Sequence, residues 1–152
     1  MLTHLSIRDF IIVDKLDLDF QPGFTVLTGE TGAGKSILID ALSLVMGGRG
    51  DASLVRFNLD SAEISALFDI SSLSELAEWL TNNTLQGDPD TCLLRRTIDA
   101  NGRSRGFING HTVTLQQLRN AGEYLVDIHG QHAHQSLLRS VMQRDLLDAY
   151  AD

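Results

Sequence analysis

Cysteine is almost absent from this chain. Cys92 is the single one in 152 residues, so no disulfide framework can form and a reducing compartment is expected. Set in the apolar run Cys92-Leu93-Leu94, it reads as a small buried hydrophobe. Long apolar runs are missing too: no stretch approaches the ~20 residues that a membrane helix needs. Met1-Leu2-Thr3-His4 has neither the basic start nor the apolar run of a signal peptide, so a cytoplasmic location is expected. Positive charge is scarce, with 12 basic against 20 acidic residues and a net charge of −8. Only two of the basic residues are lysines, Lys15 and Lys35. Nucleic-acid binding through bulk charge is thereby disfavoured, and any such contact must use a local patch. What remains is ordinary for a globular chain: 43% apolar and 21% charged residues. The length suits one domain, or a large piece of one, burying roughly two thirds of its unfolded surface.

Against that plain background, residues 29–36 read Gly29-Glu30-Thr31-Gly32-Ala33-Gly34-Lys35-Ser36, a full match to the phosphate-cradling pattern G-x-x-x-x-G-K-[ST]. The glycines let the backbone turn tightly and bring its N–H groups near phosphate oxygens. Lys35 supplies a mobile cation for the terminal phosphates, and the Ser36 hydroxyl is sized to ligate Mg²⁺. The β-branched, apolar run Phe24–Thr28 predicts a buried strand before the loop, and Ile37–Met46 predicts a buried helix after it. Such a strand, loop and helix place the positive end of a helix dipole beneath the phosphates. The motif predicts nucleoside triphosphate binding.

Periodicity supplies the remaining elements. Strands are expected over Leu2–Phe10 and Leu16–Phe20, joined near Ile11–Lys15, and again over Ala62–Ile70. Gly47-Gly48 should cap the buried helix. Ser72-Leu73-Ser74-Glu75 forms a capping-box pattern ahead of a helix. Thr91–Asp99 and about Arg103–Ile108 should pair as a hairpin through Asn101-Gly102, with a second turn at Asn109-Gly110. Thr114–Gln117 opens another helix, expected to stop near Gly122, and Tyr124–Ile128 reads as a short buried strand. A helix from about Ser136 carries an amphipathic pattern that reaches Asp152 without a cap, so it reads as interrupted rather than finished. The fold class is α/β, a P-loop core beside an antiparallel β portion.

Three segments together carry a family resemblance: Thr28–Ser36, Arg95-Arg96 with Gly102–Gly110, and Asp127-Ile128-His129-Gly130-Gln131-His132-Ala133-His134-Gln135. They resemble the N-terminal half of the ATPase head in the SMC-like branch of the ABC ATPases, to which RecF belongs. The likeness runs over essentially the whole chain. It implies a lobe over residues 1–137 and, over 138–152, the start of a helix leading to a coiled coil. It also implies that a C-terminal half of the same head completes the site with the signature motif and catalytic glutamate. ATP and Mg²⁺ would then lie between two heads of a homodimer, in a nucleoid-associated protein that acts on DNA in double-strand-break repair and recombination. By the same resemblance this half alone hydrolyses little.

That resemblance places Gln131 where a loop glutamine reaches Mg²⁺ and the attacking water, a role its amide can fill from both ends. Arg56, 21 residues after Lys35, falls near an arginine that touches phosphates from the same subunit, with Arg49 as competitor. Lys35, Gln131 and Arg56 are thus the catalytic candidates, and Ser36 and Gln131 the Mg²⁺ ligands. Arg95, Arg96, Arg103 and Arg105 cluster on one hairpin as a candidate DNA-backbone patch, set against the plainer reading of a solvated hairpin in an acidic chain. His129, His132 and His134 invite a zinc reading, but no thiol or carboxylate completes it, and a loop beside the phosphates is favoured. Asp127 ends an apolar run as a Walker B aspartate would, which would make this a self-contained kinase or GTPase. The residues after it, Ile128 and His129, argue against that. A nucleotide-regulated interaction module without catalysis shares every feature except hydrolysis.

Overall fold

In the computed structural model the chain is described over residues 1–23, 25–26 and 33–126. Alternation of apolar and polar residues builds the sheet. β1 (Leu2–Phe10) turns through Ile11-Ile12 into β2 (Val13–Asp19), and β3 (Ser61–Asp69) pairs with the other edge of β1. β4 (Thr91–Asp99), β5 (Ser104–Ile108) and β6 (His111–Val113) extend it into six antiparallel strands ordered β2-β1-β3-β4-β5-β6. Leu5, Ile7, Ala62, Ile64, Ala66, Phe68, Leu94 and Ile98 are buried on one face. Against that face pack α1 (Ala33–Val45), through Ile37, Ala41, Leu44 and Val45, and α3 (Leu115–Leu125), through Leu118 and Ala121. α2 (Ser74–Asn82) buries Leu76 and Leu80 and touches α3. Cys92 is in the core as expected, fully buried on β4.

Several expectations are corrected. Thr25 and Val26 belong to no strand, and Val26 is 78% exposed, because no described strand pairs with them; the rest of the expected Phe24–Thr28 strand lies outside the described residues. The Ser72–Glu75 capping box does not form. Leu73 is the N-cap and makes no side-chain cap bond, because Asp69 and Ile70 hold the preceding turn: Ser71 N–H donates to Asp69 Oδ1 at 2.9 Å and Leu73 N–H to the Ile70 carbonyl at 2.8 Å. α3 runs past Gly122 to Leu125, so Tyr124 and Leu125 are helical and not a strand. Gly122 is no stop signal: a Cβ there would meet the Met46 side chain at 2.9 Å, so glycine serves close packing against the end of α1. The turn at Asn109-Gly110, both residues at positive φ, leads into β6, a strand too short for alternation to reveal.

Candidate functional site

α1 begins at Ala33, so Gly34, Lys35 and Ser36 occupy its first turn. The first four N–H groups of a helix have no partner within it, and the dipole adds positive potential at that end. No acidic residue lies in this turn to compete for them. Ser36 is exposed and Lys35 half-buried. Gly34 has open surroundings among the described residues, as Gly23 and Gly110 do. A Cβ built on it meets nothing within 4 Å, whereas at Gly48, Gly50 and Gly106 it would meet atoms 2.4 to 2.6 Å away. Packing among the described residues therefore places no demand on Gly34. Gly29, Glu30, Thr31 and Gly32 lie outside the described residues, as do Gln131, Asp127, His129, His132 and His134. Among the described residues no cluster of three His, Cys, Asp or Glu side chains could hold a metal.

The far end of α1 is closed by a Schellman arrangement. Gly47, at φ +88°, donates to the Leu44 carbonyl at 3.1 Å, and Gly48 N–H donates to the Ser43 carbonyl at 2.9 Å. Two arginines add further donors to the carbonyls at this end. Arg96 donates through its terminal nitrogens to Leu44 O at 3.2 Å and Gly48 O at 3.4 Å, while its Nε donates to Ser104 Oγ on β5. Arg119 Nε donates to Gly47 O at 2.9 Å. Burial, and secondarily the nearby Arg119 charge, push the Arg96 pKa down from the usual guanidinium range.

This corrects one expectation. Arg96 is 1% exposed and turned inward, so it is not part of a DNA-facing patch; alternation along β4 sends it to the helix side and Arg95 to the opposite face. Arg95 lies over the Phe107 ring at 4.2 Å and pairs with Glu63 at 3.7 Å. Arg103 and Arg105 are exposed. Register adds two cations that the sequence did not single out, since Lys15, Arg8, Glu63, Thr97 and Arg105 form one row across five strands. Arg56 donates to Asp14 at 2.7 Å and sits 3.9 Å from Asp9, so a phosphate would compete with two carboxylates for it. Arg49 is exposed.

An antiparallel sheet backed by a helix whose first turn reads Gly-Lys-Ser is the layout of a P-loop nucleotide-binding domain. The chain belongs to the AAA domain family, whose model matches residues 4–139. Among individual proteins it is similar to DNA repair protein RecN of Vibrio cholerae, at 50% identity over 151 residues, and to that of Bacillus subtilis, at 42%. Each alignment covers 99% of this chain, which spans 27% and 26% of those relatives. In fold it resembles a chain solved in work on ATP-driven dimerization and DNA-stimulated activation of SMC ATPases, with a TM-score of 0.67, 23% identity and 97% coverage of both chains. The Smc head of Pyrococcus furiosus gives a TM-score of 0.68 at 22% identity, over 96% of this chain and 40% of that one.

Proposed function

We propose that this chain is the N-terminal, ATP–Mg²⁺-binding lobe of an SMC-like ATPase head acting in DNA double-strand-break repair and recombination. The observation that carries the reading is the first turn of α1, which holds Gly34, Lys35 and Ser36 with no acidic residue in that turn and, among the described residues, nothing within 4 Å of a Cβ built on Gly34. The similarity to RecN supplies the repair context. A bound ATP–Mg²⁺ would bring the transferable phosphoryl group and the metal charge. Toward it the main-chain N–H groups of the 29–36 loop would serve as donors, Lys35 would neutralise the terminal phosphates, and Ser36 would offer its hydroxyl to the cation. We assign Gln131 to the second protein contact with Mg²⁺ and to orienting water, and Arg56 to stabilising γ-phosphate charge once released from Asp14.

In this reading residues 138–152 begin the helix toward a coiled coil. A C-terminal half of the same head and a second head complete the site, and the protein works in the cytoplasm on nucleoid DNA. Arg95, Arg103 and Arg105, joined by Arg8 and Lys15, form the candidate DNA-backbone face.

The test is a calorimetric titration and an ATPase assay on the full-length protein. Wild type should bind ATP–Mg²⁺ and hydrolyse it, Lys35→Ala should lose on the order of a hundredfold in turnover, and residues 1–152 alone should hydrolyse almost none. Steady turnover by 1–152 alone, abolished by Lys35→Ala, would instead favour a self-contained P-loop enzyme.

A further inference from the structure

We propose that Arg96 is a positioning residue for the phosphate-binding turn: its guanidinium, held by Ser104 on β5, fixes the far end of α1 and ties the β4–β5 hairpin to the nucleotide site. The inference rests on the nucleotide site proposed above and adds a residue class to it. Arg96 is the single buried charged side chain among the described residues, and no carboxylate among them pairs with it. Its partners are two carbonyls from the end of α1 and one hydroxyl from the hairpin. Ser104 is itself anchored, donating to the Thr97 carbonyl at 3.3 Å. A buried guanidinium is a costly way to join a helix to a sheet, since an apolar side chain of similar volume loses no hydration. What the guanidinium adds is direction: a planar fork with fixed angles to three oxygens.

α1 has 13 residues, so its ends lie about 20 Å apart along a stiff rod. A tilt or slide permitted at the Leu44–Gly48 end moves Gly34, Lys35 and Ser36 at the other end by a similar distance. Misplacement of donors by about 1 Å is enough to cost binding and rate. The opposite face of the hairpin carries the exposed Arg103 and Arg105, so a ligand there would act on α1 through Ser104 and Arg96.

The experiment measures ATP–Mg²⁺ affinity, kcat/KM and Tm on the full-length protein for wild type, Arg96→Met, Arg96→Lys and Ser104→Ala, working well below each Tm. Arg96→Met should weaken binding roughly tenfold, as loss of a charged hydrogen-bond set does. Arg96→Lys should recover part of that, because an ammonium reaches the carbonyls without the fork. Ser104→Ala should weaken binding about threefold and speed amide exchange in the last turn of α1. A lower Tm with unchanged affinity in Arg96→Met would overturn the positioning role and leave a merely structural one. Where Arg96→Met does not fold, Ser104→Ala decides, and unchanged affinity and exchange there overturn the role. Wild type that binds no ATP–Mg²⁺ would sink the proposed function and this inference together, whereas wild-type binding with indifferent variants sinks the inference alone.

Discussion

Cys92 shows how far a single residue can be read. Its apolar neighbours placed it in the core, and it lies fully buried on β4 with its thiol pushed up to about 12 by desolvation. The neutral thiol is therefore favoured by folding. Stability from this group is complete below pH 9 and is lost as pH rises from there toward the folded value, because the unfolded chain releases the proton first. A thiol reagent at pH 8 should leave native protein unlabelled and label it at once in denaturant; rapid native labelling would contradict the burial. Arg96 and Gly122 were not legible in the same way. An arginine in sequence reads as solvated; alternation separates Arg95 from Arg96, but only the packing shows that the Arg96 side faces α1, where the Leu44 and Gly48 carbonyls receive it. Gly122 carries the signature of a helix stop, yet it is conformationally ordinary and answers to the Met46 side chain.

Elements were legible where pattern and local chemistry agree. Thr114 is the clearest example. Its hydroxyl accepts from Gln117 N–H at 3.2 Å, and the Gln117 side chain accepts from Thr114 N–H at 3.0 Å, the reciprocal box that the spacing announced. Thr114→Ala should cost about 1 kcal/mol, read as a shift in denaturant midpoint with unchanged slope, and should loosen amide exchange in the first turn of α3. No shift would mean that α3 is held by Leu118 and Ala121 packing alone. The same signature at Ser72–Glu75 failed because Asp69 had already taken the turn. β1 and β4 match their expected bounds residue for residue; in β4 the alternation over one buried face runs nearly the whole strand and admits few other readings. Tyr124-Leu125 misled because a short apolar run cannot by itself be told from the end of a helix.

At the scale of the molecule, strand order brings together what is far apart in sequence. Arg8 and Lys15 come level with Arg105, and Arg95 lies in the next row of the same face, opposite the one that α1 covers. In the full-length protein, replacing Arg8, Arg95 and Arg105 with Ala should weaken duplex DNA binding about equally across sequences. Each lost phosphate contact should flatten the slope of log K against log salt by about 0.9. An unchanged slope would remove this face from the DNA reading, and the −8 chain would then simply keep its hairpin soluble. By itself the amino-acid order determined the phosphate motif, the strands β1, β3, β4 and β5 and the capped start of α3, because each rests on patterns among near neighbours. Only the tertiary structure decided which arginines face solvent, which glycines answer to close packing, and what clamps the far end of α1. Those depend on register and on carbonyls contributed from tens of residues away.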